Sequence, residues 1–451
     1  MHKKYGAAVG ADGIIFVISR RVTIYMDFLL KIIRSCIAAL VFIVAADVSA
    51  QSEGDNFDVS LITCEPGTEA YSLYGHTAVR VLSHDKEKDV VFNYGVFSFE
   101  DNNFTWNFIM GKPEYTCMAM PTSFFLEEYE ATGRAVREQW LNLDGDEKLR
   151  LIVRMQDDAT RRGWTYRYNI FRDNCTSRVI RMLADATDGG LVLPEDTVRT
   201  TFREIVDSYA GRHNPWPSFG IDLLLGAEVD TTVSSLDEIA FPEYAERLLD
   251  GAAFKGGDGT LRVAVREKDV LFKAGEKQDA VSVGIWNVIT PMSVSVLILL
   301  LSIFCCWTRW RGKVLPARIF DDVMMFVLGV AGLVVGMIFF FSEHPSVDSN
   351  RLITLLNPLP LFWLPVKLWR DRKGLGDAYV PWVQWLMLIA FYVCAPTQQV
   401  PLAVYVVALA LLARTLTERN LPDVEKSPWR LRLDAVLAIS AIVITVYKFF
   451  V

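Results

Sequence analysis

The 451-residue chain has no excess of positive charge. It carries 46 Lys and Arg against 53 Asp and Glu, a formal net charge of -7. A nucleic-acid partner needs a basic face that neutralises a run of phosphates, so we exclude that class. Histidine is also scarce, and His76, His84 and His213 have neither ligand spacing nor a cysteine pair beside them. We therefore expect no metal and no other cofactor.

The first 50 residues contain no apolar run long enough to cross a bilayer. The run 37–46 is about ten residues long, whereas a membrane-spanning helix needs about twenty. Lys31 and Arg34 precede this run, and small residues follow it at Val48-Ser49-Ala50, which is the pattern of a signal peptide. We predict that residues 1–50 are a cleaved signal peptide, with Met26 as an alternative start, and we favour cleavage over anchoring.

After residue 284 charge is scarce and confined to short segments. We predict an all-α transmembrane domain of about six helices over residues 285–451, following a domain over residues 51–284. Lys and Arg cluster in alternate loops, while the loops 342–350 and 396–399 hold none, which by the positive-inside rule places the first domain outside. The six apolar stretches are 285–307, 319–341, 352–368, 380–395, 400–413 and 435–451.

A histidine lies in a segment with the alternation of β-strands. Apolar and polar residues alternate through residues 58–99, and this alternation turns His76 away from the most apolar face. His76 is therefore a candidate general base. Asn93, on the next predicted strand, is the candidate to orient its imidazole, although Asn174 or Tyr94 would serve as well.

A cysteine lies at the start of a predicted helix. Asn174 is a good N-cap residue, so Cys175 is expected in the first helical turn, where backbone N–H groups and the helix dipole favour an anion. With the imidazole of His76 to take its proton, the thiol would be a sensible nucleophile. Cys64 and Cys117 could form a disulfide and leave Cys175 free, whereas any other pairing would consume the nucleophile.

These motifs resemble a known family. A strand histidine followed by a helix cysteine is similar to the circularly permuted papain-like fold of NlpC-type enzymes and lecithin:retinol acyltransferase relatives. The chain more closely resembles the Lnb-type lipoprotein N-acyltransferases, through YGHTAVRV at 74–81, FNYG at 92–95, YNIFRDNCTSR at 168–178, FSEHP at 341–345 and NPL at 357–359. The implied fold is an α+β permuted papain-like exported domain followed by a six-helix transmembrane domain.

The resemblance also implies a reaction at the periplasmic face of a bacterial inner membrane. An acyl chain would pass from a phospholipid donor to Cys175 as a thioester, and then to the amino group of a diacylglyceryl-cysteine apolipoprotein. Cys175 would be the nucleophile and His76 the general base and acid.

Candidate substrate-binding residues surround these two. Tyr74 and Tyr94 belong to the aromatic residues that could line an acyl passage or simply form sheet core. Arg80 and Arg178 could bind a phosphate or, equally, an internal carboxylate. His344 belongs to a polar outer loop that either contributes to a head-group site or is only solvated.

Two other functions compete with acyl transfer. A cell-wall or peptide cysteine hydrolase predicts an open polar groove and leaves the membrane helices without a purpose. A non-catalytic membrane scaffold predicts that Cys175→Ser changes nothing measurable.

Overall fold

The computed structural model describes residues 53–67, 69, 71–85, 87–97, 103–194, 200–210, 215–234, 239–275, 288–375, 378–421 and 428–450. The signal peptide predicted over residues 1–50 lies outside the described residues, as does the alternative start at Met26.

The first domain is built on a mixed set of strands and helices. Its strands are β1 (Phe57–Cys64), β2 (His76–Ser83), β3 (Asp89–Val96), β4 (Glu114–Pro121), β5 (Val136–Leu141), β6 (Tyr166–Arg167), β7 (Leu191–Val192), β8 (Ala253–Lys255), β9 (Leu261–Val263) and β10 (Val265–Phe272). Its helices are α1 (Phe104–Ile109), α2 (Thr122–Thr132), α3 (Gly145–Thr160), α4 (Cys175–Ala186), α5 (Phe202–Ala210), α6 (Pro215–Leu224) and α7 (Pro242–Asp250).

Seven of the strands form one antiparallel sheet in the order β10-β5-β1-β2-β3-β4-β6. Helices cover both faces of this sheet because its central strands are apolar on both sides. Val79 and Val81 pack with α3 and α4 on one face, whereas Ala78 packs with Phe125 of α2 on the other. Each fully buried valine contributes about 1.5–3 kcal/mol relative to exposure. The strand character predicted over residues 58–99 is confirmed.

The two other cysteines of this domain do not form a disulfide. Cys64 belongs to the core on the α2 face of the sheet, and Cys117 belongs to the core on the opposite face. Both are free and buried. The pairing that the sequence left open is therefore wrong, because side chains on opposite faces of one sheet cannot meet.

The second domain is helical. Its helices are α8 (Pro291–Trp310), α9 (Leu315–Phe341), α10 (Leu359–Arg372), α11 (Gln384–Cys394), α12 (Leu402–Arg419) and α13 (Pro428–Phe450). Among the described residues, four segments are long and apolar enough to cross a membrane: Pro291–Trp310, Leu315–Phe341, Arg351–Arg372 and Tyr379–Thr397. That six helices cross the membrane stays a prediction.

Two loops of the helical domain contact the first domain. The side-chain N–H of Asn350 donates to the carbonyl oxygen of Leu223 at 2.8 Å, and the backbone N–H of Gln399 donates to Asp230 at 2.7 Å. These loops, 342–350 and 396–399, are the two that lack Lys and Arg. The first domain therefore lies on the side of the membrane helices that the loop charges indicate as the outside.

Candidate active site

The N-terminus of α4 is fixed by the residue that precedes it. Oδ1 of Asn174 accepts hydrogen bonds from the backbone N–H groups of Thr176 and Ser177, both at 2.9 Å. Its Nδ2 donates to the carbonyl oxygens of Ile170 and Ala240 at 2.8 and 2.7 Å. The predicted N-cap is confirmed, and these bonds hold the side chain of buried Asn174 in place at the start of α4.

Cys175 and His76 meet beside the start of strand β2. Nε2 of His76 lies 2.6 Å from Oδ1 of Asn93, and the Cys175 thiol is within hydrogen-bonding contact of the imidazole. Since Nε2 donates to the amide oxygen, Nδ1 is the nitrogen left to take the thiol proton. A hydrogen bond of 3.0 Å between the hydroxyls of Thr77 and Thr176 joins strand β2 to helix α4. The structure thus brings together Cys175, His76 and Asn93, three of the four residues that the sequence proposed as catalytic, and places the fourth, Asn174, next to Cys175 as the N-cap.

The surroundings of the thiol favour its ionised form. Burial alone would raise the pKa of Cys175, but the charge and hydrogen bond of His76 and the backbone N–H of Thr77 outweigh it and lower the pKa to about 7. Burial would also lower the pKa of His76, yet the neighbouring thiolate and the bond to Asn93 raise it above its ordinary value. In contrast, burial raises the pKa of Cys64 to about 12. Cys175 is therefore poised as a nucleophile, and Cys64 is not.

A glycine lies directly beside this pair. Gly95 has a φ of +89° and lies at an irregularity in the pairing of β3 with β4. A Cβ at this position would lie 3.5 Å from Cβ of Cys175 and 3.9 Å from Cε1 of His76. β-Bulges recur next to active sites, where they re-aim side chains. The sequence analysis missed this position, although a glycine inside a predicted strand is a recognised signal of a bulge.

Cys175 opens into a narrow slot of about 20 Å³. Its walls are mostly aromatic or apolar, and they include Tyr74, as the sequence analysis expected, and Tyr168, which it did not single out. The ring of Tyr168 packs 4.4 Å from that of Tyr115, and its hydroxyl is a hydrogen-bond partner of Cys175. Other wall residues are Gly75, Ile170, Asn174, Ala240, Phe241 and Pro242.

The two arginines proposed for phosphate binding are engaged elsewhere. Arg80 binds Asp89 at 2.7 Å and Glu138 at 3.1 Å. Arg178 binds Asp173 at 2.5 Å. The structure therefore favours the alternative of internal carboxylates, and a substrate-binding role of these two arginines stays a prediction. The partners of these arginines come from other strands or from a turn, so the local pattern could not identify them.

Two further candidates lie away from the slot. Tyr94 is fully buried and donates its hydroxyl to Asp158 at 2.9 Å, so it belongs to the sheet core rather than to a lipid passage. His344 places Nε2 at 2.6 Å from the carbonyl oxygen of Phe108. Because burial lowers the pKa of His344, a neutral ring donates this bond and holds the outer loop against α1. The structure thus gives His344 a docking contact in place of the predicted contact with substrate.

Comparisons with known proteins match two parts of the chain. A family model described as the Lnb N-terminal periplasmic domain matches residues 45–206, and one described as the Lnb transmembrane domain matches residues 284–421. No curated protein and no solved structure matches the chain. The two family matches indicate a membrane protein with a periplasmic N-terminal domain.

Proposed function

Since this chain belongs to the Lnb-type lipoprotein N-acyltransferase family, we propose that it N-acylates lipoproteins. A fatty acyl chain passes from a phospholipid to Cys175, and from Cys175 to the N-terminal amine of a diacylglyceryl-cysteine apolipoprotein. The observation that carries this proposal is the contact between the Cys175 thiol and an imidazole that Asn93 orients.

The first half-reaction forms a thioester. The thiolate of Cys175 attacks the ester carbonyl of the phospholipid and forms a C–S bond. As the tetrahedral intermediate collapses, the ester C–O bond breaks, and the proton held by His76 passes to the leaving oxygen of the lysophospholipid. A thiol pKa near 7 supports this step, because a large fraction of the sulfur is already ionised at neutral pH.

The second half-reaction transfers the acyl chain to nitrogen. The amine of the apolipoprotein attacks the thioester carbonyl, an N–C bond forms, and the C–S bond breaks. The proton lost by the amine goes to His76, which restores the ion pair with the thiolate. An amine attacks a thioester far more readily than water does, so a slot that admits little water favours transfer over hydrolysis.

The N-terminus of α4 supplies a site for the developing oxyanion. Asn174 accepts from the N–H groups of Thr176 and Ser177, so the cap leaves the N–H of Cys175 itself unused. A first-turn amide has no acceptor within the helix, and the helix dipole adds positive potential there. We assign this N–H to the tetrahedral intermediate, where one such donor is worth about 3 kcal/mol.

The lining of the slot and its place in the fold support a lipid substrate over a cell-wall peptide. Among the described residues, Cys175 opens into a small slot of about 20 Å³ rather than into the open polar groove that a cell-wall hydrolase would need. Its aromatic and apolar walls suit an acyl ester. The slot also lies in a domain docked on membrane helices, which keeps the thiol near lipids of the inner membrane.

The proposal is tested in a host depleted of its own lipoprotein N-acyltransferase, by mass spectrometry of a model lipoprotein's N-terminus. We expect triacylated product from the wild type and only diacylated product from Cys175→Ala and His76→Ala. The matched control is Cys394→Ala, which removes a cysteine of the membrane domain and should leave triacylation intact. If stably inserted wild type gives only diacylated product, the proposal is overturned. If Cys175→Ala still gives triacylated product, the alternative of a non-catalytic membrane scaffold is favoured.

A further inference from the structure

A second, larger cavity adjoins the slot of Cys175. Its volume is about 490 Å³, and it lies between the turn that precedes α4 and the outer loop that follows α9. Both domains contribute walls, so the cavity exists only because they are docked. The wall residues that matter here are Gly111, Arg167, Tyr168, Arg172, Glu343 and Pro345.

The two spaces share one wall. Tyr168 lines both the slot and the larger cavity, whereas Cys175 lines only the slot. One molecule can therefore place a reacting carbonyl at the thiol and a second group in the cavity. A glycerophospholipid has this form, because only a few bonds separate its ester carbonyl from its phosphate.

Most charges around the cavity already have partners. Arg167 binds Glu343 at 2.7 Å and donates to the carbonyl oxygen of Gly111 at 2.8 Å. Asp173 binds Arg178 at 2.5 Å and Arg181 at 2.8 Å. Each of these three arginines is therefore already held by a carboxylate of the protein.

Arg172 differs from these residues. Its side chain is 75% exposed, and its nearest recorded carboxylate, on Glu228, is 3.5 Å away. Its backbone is held firmly, because Oδ1 of Asn169 accepts its N–H at 3.0 Å and Arg181 donates to its carbonyl oxygen at 2.5 Å. A fixed backbone with a weakly engaged guanidinium is suited to binding an anion that arrives with the substrate.

The position of the cavity relative to the membrane helices points to a lipid head group. Glu343 and Pro345 follow directly on α9, which ends at Phe341. The cavity thus lies just beyond the outer end of a candidate membrane span, at the depth where lipid phosphates reside. A guanidinium forms paired, charge-assisted hydrogen bonds with phosphate oxygens.

We propose that this cavity binds the phosphate of the donor phospholipid through Arg172, and that Tyr168 separates this phosphate from the ester at Cys175. The inference rests on the proposed function, since it assigns part of the donor in the same reaction. It also replaces the phosphate-binding role that the sequence suggested for Arg80 and Arg178, whose charges are neutralised internally.

The test measures thioester formation on the purified full chain by intact mass, in detergent micelles. The donors are phosphatidylethanolamine, phosphatidylglycerol and diacylglycerol with the same acyl chains. For wild type we expect both phospholipids to be better donors than diacylglycerol. For Arg172→Gln we expect the apparent KM for both phospholipids to rise about tenfold with little change in kcat. With diacylglycerol as the donor, Arg172→Gln and the wild type should have the same KM and kcat.

Arg161→Gln is the matched control, because Arg161 is an exposed arginine of the same domain that binds Asp157 on its own helix. It should behave as wild type with all three donors. An unchanged phospholipid KM in Arg172→Gln would overturn the inference while leaving the proposed function intact. If the wild type forms the thioester equally well from diacylglycerol and from the phospholipids, the inference is also overturned and the proposed function again stays intact. No thioester on wild type from any donor would instead remove the proposed function itself.

Discussion

Nε2 of His76 lies 2.6 Å from Oδ1 of Asn93, across two neighbouring strands of the sheet. This bond fixes the plane of the imidazole and directs its other nitrogen toward Cys175. The strands are held by a buried core on both faces, so the geometry belongs to the rigid part of the domain. In the proposed reaction, Asn93 would act through the imidazole, as a positioning residue.

Replacement of Asn93 should therefore slow the enzyme without removing its nucleophile. We expect Asn93→Ala to reduce the rate of thioester formation at least about tenfold, because general acid–base catalysis by an imidazole depends on its orientation. Asn93→Asp keeps an oxygen acceptor for Nε2 and should retain most of the rate. Equal losses in both variants, measured by intact mass, would contradict a positioning role.

The ionisation of Cys175 predicts the pH dependence of its alkylation. Only the thiolate reacts with iodoacetamide, so the rate should rise with pH through a midpoint near 7, the pKa of Cys175 beside His76. In His76→Ala the charge that lowers this pKa is gone while burial remains, so the midpoint should move upward. Cys64, with a pKa near 12, should stay unmodified at neutral pH.

Cys175 and His76 together determine how the rate of turnover changes with pH. Below pH 7 the thiol takes up its proton and the rate falls. Above the raised pKa of His76 the imidazolium loses the proton that the leaving oxygen needs, so the rate falls again. Because the two groups interact, both limbs report the pair rather than either residue alone. A rate independent of pH across this interval would contradict the assignment.

The position of Gly95 beside Cys175 and His76 predicts a loss of activity that exceeds the loss of stability. An added Cβ would lie 3.5 Å from Cβ of Cys175 and 3.9 Å from Cε1 of His76, so it would occupy space directly beside the reacting pair. A positive φ also costs a non-glycine residue about 1–2 kcal/mol. Gly133→Ala is the matched control, because Gly133 has a φ of +64° and nothing within 4 Å of its added Cβ. Both variants should unfold at lower temperature, and only Gly95→Ala should lose thioester formation.

The contacts of Arg80 predict an effect on stability rather than on substrate binding. Its partner Glu138 has a fully buried side chain, so Arg80→Met leaves an unpaired carboxylate in the core. Removing one partner of a buried ion pair costs about 3–5 kcal/mol of unfolding free energy. We expect a large fall in melting temperature, partly restored by adding Glu138→Gln, and an unchanged phospholipid KM for the protein that remains folded. A rise in the phospholipid KM of the folded Arg80→Met protein would instead indicate that Arg80 contributes to substrate binding.

The sequence was most informative where a signal is local. Asn174 before an apolar helix indicated the N-cap, strand alternation gave the facing of His76, and loop charges gave the side of the membrane on which the first domain lies. Each of these features depends on residues close together in the chain. The contact of Cys175 with His76 was inferred only from chemistry and from resemblance to a family.

The sequence was least informative where a role depends on distant partners. Arg80 finds Glu138 on a strand that is far away in the chain, and that pairing is set by the order of strands in the sheet. The order and register of the strands also decide that Cys64 lies on one face of the sheet and Cys117 on the other. The nearness of Tyr168 to the thiol depends on how the turn before α4 folds back, which no periodicity encodes.

The docking of the two domains limits how substrates can arrive. Hydrogen bonds from Asn350 and Gln399 tie the segment 223–230 to the loops at the outer ends of the helices. In the proposed reaction, the thiol would therefore stay close to the membrane, and each lipid substrate would have to carry its reacting carbon or nitrogen to it by lateral diffusion in the outer leaflet.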